Sequence, residues 1–184
     1  MSANVILRAA RPGDIAAIAR VHVETWRATY AGIITDEYLV SMTESKQALQ
    51  WDGWVRRARV PEVVLVAEAD DVPGGRIIGF GNCGRARGAP RSGEVFTLYV
   101  TPDWQGRGIG RRLLAELFAE LYAGGLNDAV VWVLSANPSR FFYEVMGGKR
   151  IAERPDQFAG AKLVETAYAW GDLGVWLAEH DGKV

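Results

Sequence analysis

The 184-residue chain has one cysteine and two histidines. Cys83 alone cannot close a disulfide within the chain, and one thiol with two imidazoles is too little for a zinc site, so no metal is expected. An excess of either charge is also missing. Against 21 basic residues stand 22 acidic ones, for a formal net charge of −1. No global field then favours nucleic acid or an anionic membrane, and any anion site must be local. No uninterrupted apolar run reaches the roughly 18 residues of a membrane span, and the opening "MSANVILRAARPGD" lacks the apolar stretch of an export leader. These absences point to a reducing, cytoplasmic setting, with neither membrane nor nucleic acid as partner.

What is present is ordinary for a folded soluble protein: 49% hydrophobic and 23% charged residues. The length suits one domain over residues 1–184, with a core at about 5–170 and a tail at 171–184. Residues 4–10 read as a short strand ended by "RPGD". Ile15, Ile18, Ala19, His22, Trp26, Thr29 and Tyr30 recur at helical spacing, predicting a helix closed by Gly32. Thr35 is placed to cap the next short segment, and Leu49, Trp51, Trp54 and Val55 mark a helix over 44–59 that Pro61 stops. Residues 62–69 and 76–84 form a hairpin around "DDVPGG", and 93–100 is an apolar central strand covered on both faces. A helix carrying Leu113, Leu114, Leu117, Phe118 and Leu121 runs to Gly124–Gly125. There follow a strand at 129–135, a short helix at 139–148 and strands at 149–154 and 162–170. The fold class is mixed α/β, with antiparallel hairpins and one strand–helix–strand crossover from Glu94 to Leu134.

The chemical signal is in "VTPDWQGRGIGRRLL", where Gly106 to Arg112 holds three glycines and three arginines at a strand-to-helix junction. A Walker A loop would end in Gly-Lys-Ser/Thr, but this one ends Gly110-Arg111-Arg112. A dinucleotide fingerprint counted from Gly106 would need glycine at 111, where arginine stands. What remains is Gln105-x-x-Gly108-x-Gly110 opening a helix. Unpaired N–H donors and the helix dipole suit a diphosphate there, with Arg107, Arg111 and Arg112 adding charge. The alternative is a tight turn with close helix packing.

"LYVTPDWQGRGIGRRLL" resembles the acyl-CoA-binding signature of the GNAT superfamily of N-acyltransferases, matched by Leu98, Val100, Pro102, Gln105, Gly108 and Gly110. A second block, "NPSRFFYEVMGG", is similar to that family's Asn…Phe-Tyr-Glu-x-x-Gly-Phe element through Asn137, Phe142, Tyr143, Glu144 and Gly147. It departs at Gly148, where the family has an aromatic residue. The order of elements from Val5 to Trp170 follows the same pattern. "HVETWRATYAGIITDEYL" further resembles a branch that includes spermidine-type polyamine acetyltransferases. The resemblance implies a mostly antiparallel sheet flanked by helices and splayed between two parallel central strands.

It also implies acetyl transfer from acetyl-CoA to a primary amine of a small molecule or peptide, by direct attack in a ternary complex. A catalytically idle acyl-CoA sensor with the same fold is the alternative, and a homodimer is open, with Val175, Trp176 and Leu177 as interface candidates. The amides of Gln105, Gly106, Arg107, Gly108, Ile109, Gly110 and Arg111 would hold the pyrophosphate. The pantetheine arm would run past Leu98, Tyr99 and Val100. The amide of Leu98 or Tyr99 would bond the thioester carbonyl, an oxyanion donor worth roughly 3 kcal/mol when preorganised. Tyr143 would protonate the departing thiolate. Asn137 would bond pantetheine amides or serve as a turn residue. Glu94, or failing it Glu68, would take the amine's proton unless no strong base is needed. His22, Trp26 and Tyr30 either line the acceptor pocket, where aromatic faces attract ammonium groups, or pack the core. Trp104 is open in the same way, and Cys83, with no histidine placed to activate it, is set aside as a nucleophile.

Overall fold

In the computed structural model, which describes residues 4–70, 72–158 and 161–180, one seven-stranded sheet carries the chain. Asp71 of the expected turn and residues 181–184 of the expected tail lie outside the described residues. The elements run β1 (Val5–Ala9), α1 (Ile15–Tyr30), α2 (Asp36–Ser41), α3 (Glu44–Arg57), β2 (Val63–Ala69), β3 (Arg76–Ala86) and β4 (Ala89–Val100). They continue with α4 (Ile109–Ala123), β5 (Ala129–Leu134), α5 (Arg140–Val145), β6 (Lys149–Phe158), β7 (Ala161–Trp170) and α6 (Leu173–His180). The strand order is β1-β2-β3-β4-β5-β7-β6. Every neighbouring pair is antiparallel except β4 and β5.

That parallel pair is short. Gly93, Glu94 and Val95 match Ala129, Val130 and Val131, and there the pairing stops. On the other side β4 stays paired to β3, with Cys83 opposite Val95 but Asn82 opposite Thr97, so Phe96 is an extra residue. Such a bulge bends its strand and sharpens the local twist. Falling one residue past the last β4–β5 pair, it turns Phe96–Val100 away from Trp132–Leu134 and opens the sheet between its central strands. This half of β4 is only half-buried, not covered on both faces as its apolar run suggested.

Helices α1 and α3 cover one face, packing Ile18, Val21 and Trp51 against Val66 of β2 and Phe80 of β3. On the other face α4 buries Leu113, Leu114, Leu117, Phe118 and Leu121 completely, each contributing about 1.5–3 kcal/mol of apolar burial. Helix α6 docks beside α4 through Leu173 and Trp176. The segment expected to be a tail thus closes this core: Trp176 is 6% exposed, and its indole N–H donates to Met146 O at 2.9 Å, so it is no free interface residue. Thr35 gives α2 no side-chain cap. Thr43 caps α3 instead, accepting from the Lys46 amide at 3.3 Å. Strands β3 and β4 also run further than the sequence suggested, meeting at a turn that includes Gly88.

Candidate active site

The opening in the sheet joins two cavities. One, of about 340 Å³, lies on the α1 side, lined by His22, Thr25, Trp26, Tyr30, Tyr99 and Trp132 among others. The second, of about 390 Å³, lies on the α4 side, lined by Trp104, Gly106, Gly108, Gly110, Arg111 and Phe142 among others. Leu98, Val100, Gln105, Ser139 and Tyr143 line both. A larger hollow of about 680 Å³ beside the end of α3 is lined by none of the sequence-predicted site residues.

Main-chain direction along β4 sets which groups face the gap. The Thr101 amide donates to Ile78 O of β3 at 2.9 Å. Alternate residues of a strand point their main-chain groups the same way, so Tyr99 and Thr97 turn theirs toward β3 while Leu98 and Val100 turn theirs into the gap. Val100 O there accepts from the Gln105 side-chain amide at 2.9 Å. Between Leu98 and Tyr99, the residue whose amide faces the opening is Leu98.

The glycine loop has the form an anion needs. Gly106 and Gly108 have φ of 73° and 78°, the left-handed region that a side chain disfavours. Gly108 is the N-cap of α4 and has no side chain to satisfy the helix's first amides. The first intrahelical bond is donated by Arg112 to Gly108 O, at 3.1 Å. The Gln105 amide, expected among the phosphate donors, instead donates to Pro102 O at 3.2 Å, while among the described residues no protein atom accepts from the amides of Gly106 to Arg111. A chain of bare donors at a helix start fits a diphosphate. The arginines divide. Arg111 lines the cavity. Arg107 lies over the ring of Trp104, 4.7 Å from its centroid, and Trp104 is itself buried in the α4-side core. Arg112 donates to Val5 O of β1 at 2.9 Å, so it does not serve the loop as expected.

Tyr143 stands at the junction of the two cavities, 8% exposed. Burial, with Tyr30 nearby, holds its phenol well above the ordinary tyrosine pKa. It therefore keeps its proton at neutral pH, as a donor must. Asn137 donates to the Tyr30 hydroxyl at 3.1 Å and accepts from the Ser139 amide at 2.8 Å, so it does the work of a turn residue while lining the α1-side cavity. Trp26 donates to the Tyr99 hydroxyl at 2.9 Å. His22 stacks on Tyr99 with centroids 5.3 Å apart, and its Nδ1 accepts from the Trp51 indole at 3.0 Å. An accepting Nδ1 leaves the ring proton on Nε2, and burial pushes the His22 pKa down to about 4. His22, Trp26 and Tyr30 thus both pack and line.

Two expectations fail on geometry. Glu94 lies at the closed end of the β4–β5 pairing, 2% exposed and absent from both cavity walls. Its carboxylate accepts from Arg87 Nη2 at 2.8 Å and from the Arg87 amide at 3.1 Å, because the longer β3–β4 hairpin brings that arginine back over it. Glu68 is bound to Arg8 at 2.6 Å on the far edge of the sheet. Cys83 is fully buried, its thiol pushed up to about 12 by burial, consistent with its being set aside.

The carboxylates that do line the α1-side cavity are Asp156 and Glu165, on β6 and β7. Sequence reasoning passed over them, since only the long-range pairing of β7 with β5, Glu165 opposite Leu134, carries them to the gap. Gly148, the departure from the expected motif, also has a reason. A Cβ there would lie 2.7 Å from the Trp170 ring and 2.8 Å from Tyr143 O, so the aromatic bulk comes from β7 instead.

Comparison with known proteins agrees with this geometry. The model of the acetyltransferase (GNAT) family matches residues 10–147. YuaI of Bacillus subtilis, an uncharacterized N-acetyltransferase, is 34% identical over 171 residues, covering 92% of this chain and 94% of that protein. The spermidine N(1)-acetyltransferase of Thermoplasma acidophilum is 25% identical over 143 residues, covering 76% and 84%. Among solved structures, the PaiA N-acetyltransferase of T. acidophilum in complex with coenzyme A superposes with a TM-score of 0.69 at 22% identity, covering 89% of this chain and 98% of that one.

Proposed function

This chain belongs to the acetyltransferase (GNAT) family and is an acyl-CoA-dependent N-acetyltransferase; from that premise we propose that it moves an acetyl group from acetyl-CoA to the neutral amine of a small acceptor, both substrates bound at once. The observation that carries this reading is the pair of cavities that meet at Leu98, Val100, Ser139 and Tyr143, one beside bare amides and the other beside aromatic and acidic groups.

The amides from Gly106 to Arg111 would grip the pyrophosphate, with Arg111 supplying charge. The Leu98 carbonyl and the Val100 amide, both facing the gap, would pair with the pantetheine arm, as a missing strand would. The Leu98 amide would donate to the thioester carbonyl oxygen as charge collects there. Tyr143 would give its proton to the sulfur as the carbon–sulfur bond breaks and the carbon–nitrogen bond forms. His22, Trp26, Tyr30 and Tyr99 would wall the acceptor. The amine is used in its neutral fraction and sheds its proton to solvent, so Glu94 has no part in the chemistry. Coenzyme A in the related T. acidophilum structure supports the donor, and the spermidine enzyme supports an amine acceptor.

Incubation with acetyl-CoA and a mixed amine panel, read by mass and by released thiol, tests the reading. Acetylated amine with stoichiometric free thiol is expected. Tight coenzyme A binding with no thiol release from any amine would instead mark an idle sensor.

A further inference from the structure

Tyr143 sits on a helix too short to hold itself. Helix α5 has six residues, and a helix of that length is not stable in water without help from its surroundings. Among the described residues no hydrogen bond engages the Tyr143 hydroxyl, so the aim of its proton depends on how α5 is held.

The two ends of α5 are held from different parts of the molecule. Past its C-terminal end, Met146 O accepts from the indoles of Trp170 and Trp176, both at 2.9 Å, and within the helix Glu144 accepts from the Tyr168 hydroxyl at 2.7 Å. These partners belong to β7 and α6. At the other end Ser139, the N-cap, makes no side-chain cap. Its amide donates to the Asn137 side chain at 2.8 Å, and Asn137 O accepts from the Arg140 amide at 3.1 Å. The other half of the Asn137 side chain leaves this turn. Its Nδ2 donates at 3.1 Å to the hydroxyl of Tyr30, the last residue of α1 and 107 residues away in sequence. Packing gives no reason for that hydroxyl, since a phenylalanine ring would fill the same place among Val23, Ile34, Leu39 and Met42 without burying an oxygen. Its one visible task is the bond to Asn137.

We propose that Tyr30 is a positioning residue for the transfer: through Asn137 and the Ser139 amide it fixes the start of α5, and with it the aim of Tyr143, four residues on and over the same helix face. The inference rests on the acetyl-transfer reading above, with Tyr143 as its proton donor. The wall that meets the amine then also holds the group that serves the sulfur.

Tyr30→Phe tests this, because it deletes one oxygen and keeps the ring. Coenzyme A affinity by calorimetry should stay near that of the parent, which certifies the fold. With saturating amount of whichever amine is acetylated, kcat should fall about tenfold while KM for acetyl-CoA is unchanged. In a Tyr143→Phe chain the same substitution should cost less than about twofold, since the proton it aims is gone. Equal factors in the two chains, or a kcat unaltered by Tyr30→Phe, would overturn the proposal. Fluorine NMR of protein carrying meta-fluorotyrosine reads the link without turnover. The Tyr143 resonance, identified by its absence from Tyr143→Phe, should shift or broaden in Tyr30→Phe, and an unmoved resonance would also overturn the proposal. If Tyr143→Phe turns over at the parental rate while that resonance moves, the link stands and the proton-donor reading of Tyr143 falls.

Discussion

The indole of Trp51 donates a 3.0 Å hydrogen bond to Nδ1 of His22 across the α1–α3 interface, so a buried imidazole is held neutral by a partner that can only donate. Protonating Nδ1 would break that bond inside the core. Burial lowers the pKa from 6.5 to about 4, so between these values the unfolded chain binds a proton that the folded one refuses. Stability is full above pH 6.5 and falls as the pH drops toward 4, by up to about 3 kcal/mol. Urea unfolding at pH 7, 5.5 and 4.5 measures this, and His22→Asn should flatten the slope. A slope unchanged by that substitution would assign the effect elsewhere.

Tyr143→Phe keeps the ring and removes the proton. Turnover should fall about a hundredfold or more, while coenzyme A affinity by calorimetry stays near that of the parent. Loss of affinity with turnover retained would make the hydroxyl a binding group.

Gly108 separates strain from charge. Its φ of 78° makes Gly108→Ala cost about 1–2 kcal/mol in the loop, and coenzyme A binding should weaken modestly. Gly108→Glu carries the same strain plus a carboxylate among the amides, and its affinity should fall at least about tenfold below that of the alanine variant. Matching affinities for the two variants would remove the phosphate from this loop.

Filling Gly148 should destabilise the protein. The added Cβ of Gly148→Ala would press on Trp170 and on Tyr143 O, for a loss of about 1–3 kcal/mol. The melting temperature reports it, and Trp170→Leu in the same chain should recover part of the loss. An unchanged melting temperature would mean that the neighbouring backbone yields freely.

Glu94→Gln bears on stability and leaves chemistry alone. Weakening the link to Arg87 should cost about 1 kcal/mol, while kcat/KM with whichever amine of the panel is acetylated stays within about threefold of the parent. A loss of about a hundredfold would return Glu94 to the base role.

How much of this was legible in the sequence followed the range of the interactions. The glycine loop was readable because its signal is local: left-handed glycines, a helix start and an apolar strand sit within a dozen residues. The inward stripe of α1 was readable for the same reason. Glu94 was misjudged because its partner Arg87 returns through a hairpin whose turn residues resemble a loop. Asp156 and Glu165 were passed over because nothing near them in the chain announces a site; only strand pairing brings them to the gap. Trp176 was read as surface because its core partners, Phe118 and Met146, lie thirty or more residues away.

The surplus residue in β4 has one more consequence. The aperture through this protein is written in chain length and not in any side chain, since it arises where β4 carries one residue more than β3 can match. Excising Phe96 would realign the following residues with β3 and let them zip onto β5, leaving every proposed catalytic group present and a seam where the doorway had been.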